Sequence, residues 1–186
     1  MGQNCVIILF SGGVDSTACI HYYLSRKFTV FCIFVDYGQP AKIYEEKSVE
    51  KISNYFSVPF KIIKTNHSNI CSPGEIKARN AFLIFSAILE NPDFSGLISL
   101  GIHAGTSYYD CSPVFIKDIQ KIIDGYTNGK IVIDAPFINW NKKEILKYCC
   151  DNDISLEFTY SCEKGDEIPC GKCMSCLERV MLNANQ

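Results

Sequence analysis

Residues 5–17, "CVIILFSGGVDST", decide the fold. Residues 5–10 form an unbroken apolar run, too short to span a membrane and long enough for a buried strand. Two glycines and small hydroxyl residues follow, and Ala18, Cys19, Tyr22 and Tyr23 then recur at helical spacing, which predicts a helix over about 15–26. A strand that breaks into small residues and opens a helix is shaped to cradle phosphate. The glycines let successive N–H groups turn inward, and the helix start adds the positive end of its dipole. Ser11, Ser16 and Thr17 add hydroxyl donors. No lysine follows, although the G-x-x-x-x-G-K-[ST] loop needs one to hold terminal phosphates. The stretch therefore suits pyrophosphate held as a unit, with the chemistry at the α-phosphate. The plainer reading is an ordinary turn in which Asp15 or Ser16 caps a helix.

Outward from this stretch, strand-like and helix-like segments alternate. The apolar patterning predicts strands over 5–10, 28–36, 60–65, 96–104 and 130–137, and further helices over about 41–56, 78–90, 113–125 and 142–150. Strands apolar on both faces and separated by helices predict an α/β fold, a doubly wound parallel sheet of about five strands. Such sheets bind ligands beyond the carboxyl ends of their strands. The polar clusters at 11–16, 36–39, 103–111 and 139–143 each follow a strand and should meet at that edge. Residues 1–186 read as one domain, with a cysteine-rich segment over 158–180 inside it.

The net charge of −2, from 18 basic and 20 acidic residues, gives no polybasic footprint for nucleic acid or an anionic membrane. The start has no basic region ahead of its short apolar run, so a cytoplasmic protein is expected. In that compartment the eleven cysteines are expected to be thiols or metal ligands, not disulfides. Cys162, Cys170, Cys173 and Cys176 are bunched, and C-x2-C spacing turns both sulfurs of a pair toward one ion. Four thiolates close a tetrahedral site, so the expected metal is structural Zn²⁺ that fastens a segment with little core of its own. A redox dithiol and an iron–sulfur cluster are the competing readings.

Several single residues stand where chemistry is possible. Asp36 ends the second strand and can reach a ribose or Mg²⁺, or cap the turn at Tyr37 and Gly38. Arg79 and Asn80 open a helix and can hold an acidic substrate or phosphate, or serve as a solvated arginine beside an N-capping amide. Lys142 can neutralise phosphate charge, but Asn141-x-x-Glu144 resembles a cap pair that leaves Lys142 and Lys143 in solvent. Cys111 sits on a loop expected at the site. His103 ends a strand, and His21 reads as a packed residue.

The string S-G-G-x-D-S resembles the PP-loop ATP pyrophosphatase signature. With "VDYGQ" (35–39), "ARN" (78–80), "GIH" (101–103), "YYDCSPVFI" (108–116), "NKKEI" (141–145) and "SCEKGDEIPCGKCMSCLER" (161–179), the chain resembles the 7-cyano-7-deazaguanine synthase family of queuosine biosynthesis over almost its full length. The resemblance implies a ligase using ATP and Mg²⁺ that adenylates 7-carboxy-7-deazaguanine and uses ammonia to reach the nitrile. It implies phosphate binding at Ser11, Gly12, Gly13, Asp15 and Ser16, with Asp36 on the nucleotide. Asp15, Lys142 and Arg79 become the expected catalytic residues, and Asn80, Tyr109 and Asp110 the substrate side. Zinc at the four cysteines and a homodimer are also implied.

The sequence departs from that pattern around the expected substrate side. Pro40 and Ala41 follow Gln39 where Arg-His is common, Lys77 stands where Pro is common, and the stretch 65–76 is short. Three other readings follow. A family relative could adenylate a different carboxylate, such as a protein C-terminus in a bacterial defence system. A thiolating PP-loop enzyme would use Cys111 as nucleophile. A non-catalytic nucleotide- or RNA-binding module would use the zinc segment as its knuckle.

Overall fold

Because side chains alternate along a strand, a sheet covered on both faces must carry two apolar sets per strand. In β1 (Cys5–Leu9), Val6 and Ile8 enter one core, and Ile7 and Leu9 enter the other. In β2 (Thr29–Asp36), Val30, Cys32 and Phe34 join the first, and Ile33 and Val35 the second. This is seen in a computed structural model of the chain, which describes residues 4–65, 75–103, 105 and 107–183, with side chains to residue 180. Most of the shortened stretch 65–76 lies outside the described residues.

The sheet has five parallel strands in the order β3-β2-β1-β4-β5, completed by β3 (Phe60–Lys64), β4 (Gly96–Leu100) and β5 (Ile131–Asp134). Helices α1 (Val14–Ser25), α2 (Lys42–Phe56) and α5 (Lys142–Asp151) bury Ala18, Ile20, Val49, Ile52 and Ile145 against one face. On the other, α3 (Arg79–Glu90) and α4 (Pro113–Thr127) bury Ile84, Ala87, Phe115, Ile119 and Ile123. Full burial of each Ile, Val or Phe among them favours folding by about 1.5–3 kcal/mol. The doubly wound sheet read from the sequence is the fold of the chain.

Strand order reverses between β1 and β4, where Leu9 pairs with both Ile33 and Leu100. The carboxyl ends of β1, β2 and β4 are therefore level, and a crevice opens above them at the switch point. Two expectations are corrected. The fourth strand ends at Leu100 and not at 104: its pairing with β1 ends there, and Gly101 packs closely on the start of α1. A sixth helix, α6 (Met174–Asn183), begins inside the cysteine segment and carries Cys176, where the sequence shows little apolar periodicity. Among the described residues, no helix is long and apolar enough to cross a membrane.

Candidate active site

The loop after β1 can be built only with glycines. Gly12 has φ +75°, and a Cβ there would lie 2.8 Å from Ser48 Cβ and 3.0 Å from Glu45 O, so α2 packs directly on the turn. Gly13 precedes α1 in extended conformation, and no side chain caps this helix. The loop hydroxyls are turned inward on one another: Ser16 Oγ and Thr17 Oγ1 donate to Gly13 O at 3.2 and 2.7 Å, and Ser11 Oγ lies 3.3 Å from Ser16 Oγ. The first-turn N–H groups of α1 thus lack a side-chain acceptor, the arrangement that receives an anion. By contrast, α4 and α5 are capped by Ser112 and Asn141.

Gly101 closes the other side. A Cβ on it would stand 2.6 Å from Ser16 N and 2.8 Å from Asp15 C, both backbone atoms that cannot step aside. Gly101→Ala is expected to cost about 1–3 kcal/mol through overpacking, visible as a Tm lowered by several degrees. An unchanged Tm would refute the tight fit.

Asp15, in the first turn of α1, accepts two bonds from Lys142 Nζ at 2.7 and 2.8 Å. The capping box of Asn141 and Glu144 fixes the start of α5 and with it Lys142, while Lys143 is exposed. Glu178 of α6 stands 3.8 Å from the same ammonium, and His103 Nε2 lies 3.8 Å from Asp15 Oδ2. His103 Nδ1 accepts the Gly105 N–H at 2.9 Å, which leaves the proton of the neutral ring on Nε2, toward Asp15. Asp36 stands apart. Its carboxylate accepts the Gly38 N–H at 3.0 Å and lies 3.5 Å from Lys42 Nζ, outside the cavity lining.

Arg79 and Asn80, at the start of α3, both line the cavity. Asn80 is buried and locked to the turn Tyr109–Cys111: its N–H donates to Asp110 Oδ2 at 3.3 Å, and its amide donates to Asp110 O at 2.8 Å. Asp110 is buried in that exchange and does not line the cavity. Tyr109 is 55% exposed and donates its hydroxyl to Asp118 of α4, whereas Tyr108 and Cys111 do line the cavity.

The cysteine segment forms a wall of the same cavity. The sulfurs of Cys162, Cys170, Cys173 and Cys176 lie within 4.8 Å of one another, and Cys170 and Cys176 are 3.9 Å apart. A tetrahedron with Zn–S near 2.3 Å places sulfurs about 3.8 Å apart, so the cluster fits a structural zinc site. Burial opposes ionisation of Cys162, but N–H groups of Cys170 and Lys164 bring its thiol down to about 6. Burial and neighbouring sulfurs push Cys176 up to about 12. A divalent cation suits four sulfurs that cannot all ionise without one.

The segment is pinned to the loop by Tyr160 N–H, which donates to Gly12 O at 3.0 Å. Tyr160 stacks on Tyr44 of α2, with centroids 5.3 Å apart. Gly165, at φ +73°, packs on Pro40 and Ala41, so these two residues seat the segment instead of lining the cavity. Arg179 donates to Thr159 O at 2.7 Å and Leu156 O at 3.2 Å.

The cavity holds about 520 Å³, within the range of small-molecule sites. Four lining carboxylates come together there: Asp15, Glu45, Glu163 and Glu178. Of these, sequence reasoning picked out only Asp15. An acid in the first turn of a helix, as Glu45 is, reads as a dipole partner. Glu163 and Glu178 became visible only with the fold of the cysteine segment.

The chain was then compared with known proteins. A family model described as "Queuosine biosynthesis protein QueC" matches residues 5–75 and 73–184. A 7-cyano-7-deazaguanine synthase of Acetivibrio thermocellus is 33% identical over 201 residues, covering 94% of this chain and 90% of that protein. A protein of the same name from Prochlorococcus marinus is 32% identical over 205 residues, covering 94% and 91%. One from Thermoplasma volcanium is 30% identical over 203 residues, covering 94% and 84%.

Proposed function

Since the chain belongs to the QueC family of queuosine biosynthesis proteins, we propose that it is an ATP-dependent ligase that adenylates 7-carboxy-7-deazaguanine and converts it with ammonia to 7-cyano-7-deazaguanine. The observation that carries the reading is the uncapped start of α1 behind Gly12 and Gly13, with Lys142 held over it by Asp15.

A carboxylate is a poor electrophile. Attack of its oxygen on the α-phosphorus of ATP forms an acyl adenylate and breaks the bond to the β-phosphate. The first-turn N–H groups of α1 and the Lys142 ammonium meet the charge that gathers on departing pyrophosphate. Arg79 lines the same cavity and is suited to pair with the carboxylate or phosphate of a bound substrate. Mg²⁺ accompanying ATP supplies further charge screening. Ammonia then displaces AMP to give the amide, and a second activation leads to the nitrile. Acceleration comes from positioning and electrostatics, since no residue need bond covalently to the substrate.

The test is product analysis. With ATP, Mg²⁺, ammonia and 7-carboxy-7-deazaguanine, the expected products are AMP, pyrophosphate and the nitrile, each dependent on the acid. ADP with phosphate would exclude adenylation. Acid-independent pyrophosphate release, or none, would exclude this substrate.

A further inference from the structure

Three of the four cavity carboxylates are already engaged. Asp15 is paired with Lys142 at 2.7 Å, and Glu178 stands 3.8 Å from the same ammonium. Glu163 accepts the N–H and hydroxyl of Ser175 at 3.3 and 3.0 Å. Glu45 is the exception, for among the described residues it forms no ion pair. Its Oε2 accepts from Gln39 Nε2 at 2.8 Å, and no bond among the described residues fixes Oε1.

Gln39 is built to hold that oxygen. It is 6% exposed. Its Oε1 accepts the Tyr37 N–H at 2.9 Å, and its Nε2 donates to Val35 O at 3.2 Å as well as to Glu45. A flipped amide would set oxygen against the Val35 carbonyl and nitrogen against the Tyr37 N–H, so backbone atoms decide that a donor faces Glu45. The turn of α2 bearing Glu45 packs on Gly12, which places the carboxyl beside the phosphate loop. Arg79 of α3, with Tyr37 and Asp36 from the end of β2, are the charged and titratable groups around it. Burial is the largest influence on this carboxyl and raises it to about 7, against the lowering effect of the Gln39 N–H and Arg79. A carboxyl so tuned, oriented by a fixed amide and open on one oxygen, is matched to moving a proton at neutral pH.

We propose that Glu45 is the proton acceptor for the nitrogen nucleophile in the amide-forming step. This rests on the adenylation reading. Ammonia attacks the acyl carbon, the C–N bond forms, and the C–O bond to AMP breaks with its electron pair leaving on AMP. One proton passes from nitrogen to the Glu45 carboxylate. Acyl adenylate, ammonia and carboxylate thus become amide, AMP and carboxylic acid, with charge conserved. Gln39 positions the carboxylate and touches no reacting atom.

Glu45→Gln keeps the shape and leaves an oxygen for the Gln39 N–H. Two half-reactions are measured: acid-dependent exchange of pyrophosphate into ATP without ammonia, and ammonia-dependent amide formation. The expected result is amide formation slowed about 10²-fold, with exchange reduced by less. At a fixed concentration of free ammonia, the wild-type amide rate should fall as pH drops through about 7, where Glu45 becomes protonated, and this acidic limb should vanish in the variant. Hydroxylamine, a nucleophile that is unprotonated at neutral pH, should narrow the deficit.

Equal loss of exchange would overturn the assignment and place Glu45 on ATP or the acid. So would a raised KM for the acid with kcat unchanged, the signature of a carboxylate gripping the N–H edge of the heterocycle. Unchanged amide formation would overturn it too. Absence of exchange in the wild type would overturn adenylation, and this step with it.

Discussion

Lys142→Ala is expected to slow acid-dependent pyrophosphate exchange about 10³-fold, on the scale of removing a cation that meets charge at a transferring phosphoryl group. Lys142 occupies the first position of α5, where the helix dipole disfavours a cation; the capping box sets its backbone, and the two bonds to Asp15 hold its ammonium. Its removal leaves Asp15 and Glu178 facing the cavity uncompensated, which opposes phosphate binding beyond the loss of the ammonium. The capping box of Asn141 and Glu144 does not involve this side chain, so Tm should change little. Exchange within tenfold of the wild type would remove Lys142 from the phosphate machinery.

The larger effect is expected from the metal site. Structural zinc supplies about 10–16 kcal/mol in zinc-finger peptides, comparable to the whole stability of an ordinary domain. The segment it would hold contains few buried apolar residues, Cys162 and Cys176 among them. Cys173→Ser, or a strong chelator, is therefore expected to unfold the segment from about Tyr160 through α6 while leaving the sheet intact. Amide hydrogen exchange should show protection lost over that stretch and retained in β1, β2 and β4. Tyr160, Glu163, Glu178 and Arg179 would leave the cavity wall together, and exchange of pyrophosphate into ATP should fall below detection. Full activity in a protein shown to be metal-free would refute the dependence. Zinc content below one per chain in the untreated protein would refute the site.

The sheet was legible because β1 and β2 are apolar on both faces, and only a parallel sheet under two helix layers buries both. The four-cysteine cluster was legible because four sulfurs at short spacing need no knowledge of the fold. What escaped depends on tertiary contact. The strand expected to reach residue 104 stops at Leu100, where its pairing with β1 ends and Gly101 packs closely on α1, which no local pattern announces. Among the described side chains of helix α6 only Cys176 is buried, and the helix starts within the cysteine cluster instead of at an apolar period. Tyr108 and Tyr109 are neighbours of identical type, and only the 3-10 turn decides that the first lines the cavity and the second reaches Asp118. Glu45 shows in the sequence as one acid among many in a helix, and its setting comes from a glutamine six residues earlier.

Both walls of the cavity are made from distant parts of the chain: the loop at residues 11–16 and the segment carrying Tyr160 through Arg179, joined by the bond from Tyr160 to Gly12. Translation runs at about 5–20 residues per second, so roughly 7–30 s separate the two on the ribosome. During that interval β1 can pair with β2, but its other edge waits for β4. A nascent or prematurely ended chain therefore carries the phosphate loop without the wall that completes it. The loop is thus made long before the segment that walls it, and the cavity exists only once both are in place.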